Sequence, residues 1–459
     1  MKRKIYSILL TGGLLLSTVV MLSLTSCNKT GPAGAAGRDG ANGANGADGI
    51  SPTEACKACH SPALVDKVAV EFGMSKHNWG TAAFEESGNN SCAPCHTQEG
   101  FRYVCDPANN VSTVWTNTGG VWTNPYAAVN DHDMGELGCG TCHSSLHTTY
   151  GISDLTVFTN TAPVPMTMWG GAKTIDLQQD GGKSNLCVKC HQPRPLQCNV
   201  SPTSGGRMLN YDSIRQFPTL IFYDSTTGVV NKYVKPSYRM HTHYGAVGAI
   251  YAGKGGIEFT GTLAYGNSTH TTVASCQDCH MAPMTGRAGG HSFQVRNAVE
   301  AALGSGTTWN FNGCNTAACH GDDPLSATHA KFVNKRAAIK TLLDNLATKI
   351  NACGGGHDIM TRQTDPTLNL WAGITTNSYD GYLDIYSSSS NATGYWRDPY
   401  GSGSTNAAKP KFPKLTFGQM GAIMNFQLCL REYSLGVHNF SYSEALLTNS
   451  IAVLTAQGF

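Results

Sequence analysis

The chain has 459 residues, with 32 Lys and Arg against 30 Asp and Glu for a formal net charge of +2, so its total charge offers neither a basic nucleic-acid footprint nor a strongly acidic field. An average apolar share of 41%, with 52 glycines and 19 prolines, predicts many irregular segments and no conventional large core. The 17 cysteines and 16 histidines are the unusual counts: that many thiols call for a metal or cofactor, or for disulfides in an exported protein.

Lys2, Arg3 and Lys4 precede a largely apolar stretch from Ile8 to Leu24 that closes on Leu24-Thr25-Ser26-Cys27. This resembles a bacterial lipoprotein signal, which implies a signal peptide over 1–26, diacylglycerol on Cys27 and a membrane anchor. The other reading is an uncleaved span, although the apolar run only approaches the ~20 residues a span needs. Both readings export the rest of the chain. Glycine then recurs at every third position from Gly31 to Gly49, a collagen-like register of seven triplets that carries only Pro32 as an imino acid. Residues 27–52 are therefore expected to be a lipidated cysteine and a flexible spacer, with trimerisation as the other outcome.

Residues 53–322 are expected to form a loop-rich body with one helix near Ala63 to Ser75 that leads into His77. Five stretches read Cys-x-x-Cys-His: Cys56, Cys59 and His60; Cys92, Cys95 and His96; Cys139, Cys142 and His143; Cys187, Cys190 and His191; and Cys276, Cys279 and His280. A sixth is stretched, with four residues between Cys314 and Cys319 before His320. Two thiols at this spacing can add to the two vinyl groups of one porphyrin, and the adjoining histidine then ligates the iron from below. A shuffled chain of this composition would hold about 0.02 such motifs. Zinc sites built from cysteine pairs do not require a histidine after every second cysteine, and a thioredoxin-type redox pair needs only one motif in a strand-to-helix setting. Six haem c groups are the expected cofactors.

Residues 323–459 are expected to form a C-terminal helical part that supplies a distal ligand. Ala327 to Ile350 is the longest helical pattern, with Phe332, Ile339, Leu343, Leu346 and Ile350 on one face. Leu415 to Tyr433 and Tyr442 to Gln457 read as two further helices, separated by a turn holding Gly436, Val437 and His438. Beyond the six motif histidines the chain has ten others, enough to supply a second axial ligand to every iron. Met74, Met240, Met281 and Met284 are alternative ligands whose ordinary role is packing.

These motifs resemble the superfamily of multihaem c-type cytochromes that includes tetrahaem electron carriers, pentahaem nitrite reductases and octahaem hydroxylamine oxidoreductases, over roughly Ala55 to Phe459. Ser75-Lys76-His77, His143-Ser144-Ser145-Leu146-His147, His243-Tyr244-Gly245, Ser268-Thr269-His270, Gly289-Gly290-His291-Ser292-Phe293 and Gly436-Val437-His438-Asn439 carry the local likeness. The resemblance implies a mostly α fold with extensive irregular coil, organised around stacked haems. It also implies His77, His147, His243, His270, His291 and His438 as distal ligands. His241 rivals His243, while His132, His329 and His357 read as surface or hydrogen-bonding residues.

Cys105, Cys198, Cys353 and Cys429 are left over, enough for two disulfides in an exported protein; a bond between Cys353 and Cys429 would tie the C-terminal helices together. With both axial positions filled by imidazole, an iron offers no open site, which favours an electron carrier over an enzyme. Expected partners are other redox proteins or cytochromes, an external electron acceptor and a membrane reached through the lipid, with no nucleic acid; a homo-oligomer or filament is left open. The expected location is the outer membrane or cell surface, with a periplasm-facing anchor as the other placement. The competing function is a reductase or oxidase with one open haem, although no Cys-x-x-Cys-Lys motif is present.

Overall fold

Short helices dominate up to residue 280 because glycine, asparagine and proline interrupt every periodic stretch. In the computed structural model the described residues are 60–79, 92–106, 116–118, 121–123, 135–143, 146, 148, 152–158, 162–166, 173–193, 197–198, 207–208, 211–224, 229–230, 242–243, 245–297, 309–353, 360–362, 379–383 and 414–459. All belong to one unit, Glu54–Phe459. The signal segment, Cys27 and the collagen-like spacer lie outside the described residues.

A π-helical turn at Pro62–Asp66 runs into α1 (Lys67–Gly73) and then α2 (Lys76–Trp79), which carries His77. Next come α3 (Ala93–His96), α4 (Gln98–Cys105) and α5 (Cys139–Cys142). Thr97 caps α4, its hydroxyl accepting from the Gly100 N–H at 3.0 Å. They are followed by α6 (Lys183–Cys190), α7 (Tyr211–Gln216), α8 (Val247–Tyr251), α9 (His270–Val273) and α10 (Cys276–His280). The expected helix over 63–75 is thus realised as a π turn and α1, broken at Met74 and Ser75 just before the histidine it was expected to lead into.

The chain ends in α11 (Leu325–Ala352), α12 (Phe417–Arg431) and α13 (Phe440–Ala456), the three long helices anticipated from periodicity. On α11, Ile339, Leu343, Leu346 and Ile350 are buried as expected. Phe332 instead sits half-buried against Trp309 and Phe311, with ring centroids 4.7 Å and 5.4 Å away. Every residue of α12 is buried. Ahead of it, strand Lys414–Thr416 pairs antiparallel with Ile221–Asp224, which pairs with Val229–Val230. Mostly helical structure with irregular coil is therefore the observed fold class.

The expectation that no conventional core would form is overturned. One apolar cluster joins Val164, Met166, Ile175 and Phe259 of the loop-rich body to Ile339, Leu346, Met424, Leu428, Leu446 and Leu454 of the last three helices. Composition averaged over the chain concealed this because the apolar residues concentrate in α12 and α13. The core also holds a polar clamp. Asn425 accepts from the Ile257 N–H at 2.7 Å and donates to the Ile257 carbonyl at 2.8 Å. Asn449 does the same for Leu263, at 3.1 Å and 2.8 Å. Asn439 accepts from the Ser268 N–H at 3.0 Å. An extended segment without secondary-structure partners is thereby satisfied by side chains of the C-terminal helices and fixed ahead of His270.

Candidate metal centres

A Cys-x-x-Cys-His motif wound into one helical turn projects its i, i+3 and i+4 side chains from one face. Motif five lies wholly within α10, while motifs two, three and four occupy α3, α5 and the end of α6 with Cys92, His143 and His191 as the capping residues. α10 is set by a capping box, Ser275 accepting from the Asp278 N–H at 3.3 Å and Asp278 accepting from the Ser275 N–H at 2.7 Å. Residues i and i+5 do not share a helical face, and the stretched sixth motif accordingly follows successive turns, with the His320 N–H donating to the Cys314 carbonyl at 3.0 Å.

Five histidine pairs face each other, each joining one motif histidine to one outside a motif. His191 and His77 have ring centroids 6.0 Å apart, His96 and His243 6.3 Å, and His143 and His291 6.5 Å. His280 and His438 are 6.1 Å apart, and His320 and His270 6.3 Å. A metal–imidazole bond of about 2 Å on each side, added to a ring radius of just over ~1 Å, predicts a centroid separation of about 6.2 Å for two rings on one ion. The five spacings match that value without forming a bare-ion site. Among the described residues no group of three or more His, Cys, Asp or Glu converges on one point. An ion held between two such rings would have to take its remaining ligands from something other than side chains.

Five of these rings have an acceptor at Nδ1. His191 Nδ1 donates to the Gly245 carbonyl at 3.2 Å, His280 Nδ1 to the Phe293 carbonyl at 2.8 Å and His270 Nδ1 to the Val437 carbonyl at 3.1 Å. His320 Nδ1 donates to Asp323 at 3.0 Å and His438 Nδ1 to Glu432 at 2.6 Å. An acceptor at Nδ1 fixes the proton there and leaves the Nε2 lone pair for a metal. Burial also favours the neutral ring, pushing His77 and His280 down to about 4 and lowering His191 and His291. Neutral imidazole is the form that ligates. Burial would by itself raise the Glu432 carboxyl, but hydrogen bonds from His438, Ser434 and the Gly436 N–H hold it below its ordinary value.

The C-terminal end of α12 organises three of these rings. Arg431 Nη1 donates to the Thr242 carbonyl at 2.7 Å and the Arg431 carbonyl accepts from the Gly245 N–H at 3.0 Å, which fixes the segment carrying His243. Gly245 has a φ of 71°, and a Cβ there would lie 3.2 Å from His191 Nδ1. Glycine lets that carbonyl turn under His191 without strain. Glu432 then holds His438. On the far side, Glu71 accepts from the His291 N–H at 3.0 Å, and the Phe293 ring lies 5.1 Å from His77 and 5.9 Å from His291.

Cysteines of different motifs lie near one another. The thiols of Cys187 and Cys276 are neighbours, and Cys276 raises the Cys187 thiol above its ordinary value, as Cys95 does for Cys190, with Cys142 near both Cys187 and Cys190. Cys279 neighbours Cys314 and Cys319. Motifs two through six thus form one connected group.

Cys56, Cys59 and His147 lie outside the described residues, as do His132, His241 and His357; His60 is exposed. His329 packs against Phe311 at 5.6 Å. Cys105, Cys353 and Cys429 are buried thiols, and the side chain of Cys198 is outside the described residues. No bond joins Cys353 to Cys429: Cys353 donates back to the Lys349 carbonyl at 3.3 Å, and Cys429 is a buried free thiol. The tie expected between these helices is supplied instead by apolar packing. Sequence reasoning did not single out Glu71, Arg431 or Glu432, which belong to no motif; the only signal that could have found them was the proximity of Arg431 and Glu432 to His438. Among the described residues no helix is long and apolar enough to cross a membrane.

No family model matches this chain, and neither a curated protein nor a solved structure matches it.

Proposed function

We propose that the chain is a hexahaem c-type cytochrome lipoprotein that carries electrons along closely spaced bis-histidine haems, at the outer membrane or outside the cell. The observation carrying this reading is the set of five opposed histidine pairs, each with a Cys-His attachment motif on one side and a ring spacing that fits two axial ligands. Bound haem supplies reversible one-electron chemistry at iron.

The side chains divide the remaining work. Twelve motif cysteines attach the groups, His60, His96, His143, His191, His280 and His320 are proximal ligands, and His77, His243, His270, His291 and His438 are distal ones. Of the six distal ligands the resemblance implies, His147 is the one left for His60, since the other five each face a different motif histidine. Because cysteines of different motifs lie near one another, whatever is attached through them would be adjacent, in a line from Cys95 to Cys190, from Cys187 to Cys276 and from Cys279 to Cys314, with Cys142 near the fourth motif. An unbroken series of neighbours is what a conduit requires. The 433 residues after the signal peptide (459 less 26) leave about 72 per haem, too few for separate folds around each.

The experiment is a pyridine haemochrome assay on purified protein of known concentration, followed by turnover assays with nitrite and hydroxylamine. Six haems per chain, ready exchange of electrons with a second cytochrome and no turnover support the proposal. Turnover of either substrate would identify a multihaem oxidoreductase with one open iron instead, and fewer than five haems would contradict both.

A further inference from the structure

Among the ring nitrogens described above, three donate to neutral backbone carbonyls: His191, His270 and His280. Two donate to carboxylates, and these differ. Asp323, beside His320, is about one-third exposed and is shared with Lys331 at 2.6 Å. Glu432, beside His438, has a fully buried side chain, and its bond to Nδ1 is 2.6 Å.

The turn after α12 is shaped around that carboxylate. Tyr433, Leu435 and Gly436 have φ values of 67°, 55° and 85°, and two of the three are residues that rarely adopt this region. The backbone so formed brings the Gly436 N–H to Glu432 Oε1 at 3.1 Å and the Ser434 hydroxyl to Oε2 at 2.7 Å. Ser434 Oγ in turn accepts from the His438 N–H at 3.0 Å. Arg336, on α11, approaches the same turn and donates its Nε–H to the Ser434 carbonyl at 3.2 Å.

We propose that Glu432 is a positioning residue that lowers the reduction potential of the iron held between His280 and His438. This rests on reading those two rings as one axial pair. A buried carboxylate drawing on Nδ1–H gives the ring imidazolate character, so Nε2 becomes a stronger donor and favours the ferric over the ferrous ion. One-electron reduction of an iron bound there would leave the Nδ1 proton between His438 and Glu432. The site is thereby set apart from those whose rings meet only carbonyl oxygens, and it forms a step in potential within the line of neighbours.

The test is a redox titration of the full haem-loaded protein, following each low-spin signal by electron paramagnetic resonance. Glu432→Gln is expected to shift one couple toward its reduced form by about tenfold, which is about 59 mV for a one-electron couple. Asp323→Asn is expected to shift its own couple by less, since Lys331 already offsets that charge. Ser434→Ala removes a competing donor from Oε2 and is expected to move the Glu432 couple the other way; it also decides the matter if Glu432→Gln yields no folded protein. Unmoved couples with every low-spin signal intact would overturn the role of Glu432 and leave the axial pair standing. Retention of the low-spin signal in His438→Ala would overturn the pair itself.

Discussion

The ring of His96 lies 6.3 Å from that of His243 with the two planes 23° apart, although the residues are distant in the chain. Arg431 secures this meeting from a third region by holding the carbonyl of Thr242. If these rings share an iron, His243→Ala is expected to convert one iron in six to high spin and let it bind carbon monoxide when reduced. His243→Met is expected to keep it low-spin and raise its potential. Optical spectra with and without carbon monoxide check both.

Ring planes separate the pairs into two classes. His96 with His243, His143 with His291 and His280 with His438 are within 29° of parallel. His77 with His191 and His270 with His320 are 68° and 84° apart. Perpendicular ligand planes bring two iron d orbitals close in energy and enlarge the g anisotropy. Three rhombic low-spin signals and two with a large maximum g value are expected from these pairs in a low-temperature spectrum of the oxidised protein.

Arg431→Met is expected to leave the buried Thr242 carbonyl without its charged donor and to cost about 1.5–3 kcal/mol. Chemical denaturation measures that loss. The same variant is expected to weaken ligation by His243, seen as a partial high-spin signal in protein that is still folded.

Asn425→Leu is expected to leave the N–H of Ile257 unpaired in the core, at about 1–3 kcal/mol, while the Ile257 carbonyl keeps the Phe259 N–H at 3.0 Å. A lowered denaturation midpoint with an unchanged haem count is the expected result, because the hydrogen bonds of Asn425 run to Ile257 and Ser450 and to no candidate ligand.

The six Cys-His motifs were legible in the sequence because their members lie within a few positions of one another. Five of six expected distal histidines face a motif histidine, each at a place where short local likeness singled it out. Which ring meets which was not legible: His77 crosses to His191 and His270 to His320, pairings set by tertiary packing. The long helices could be read from period, whereas the core that joins them to Val164 and Phe259 could not, because average composition does not record where apolar residues gather. Glu432 was hidden for a different reason. A carboxylate at the end of a helix, just ahead of a glycine-containing turn, is ordinary in sequence, and only the left-handed backbone at Tyr433 and Leu435 turns it beneath His438.

The central claim is that every iron is held between two histidines. Low-temperature electron paramagnetic resonance of the oxidised protein, paired with optical spectra of the reduced protein under carbon monoxide, tests it most directly. Six low-spin irons and no carbon monoxide adduct are the predicted result. A high-spin fraction near one iron in six that takes up the ligand, or a protein without haem, would contradict it.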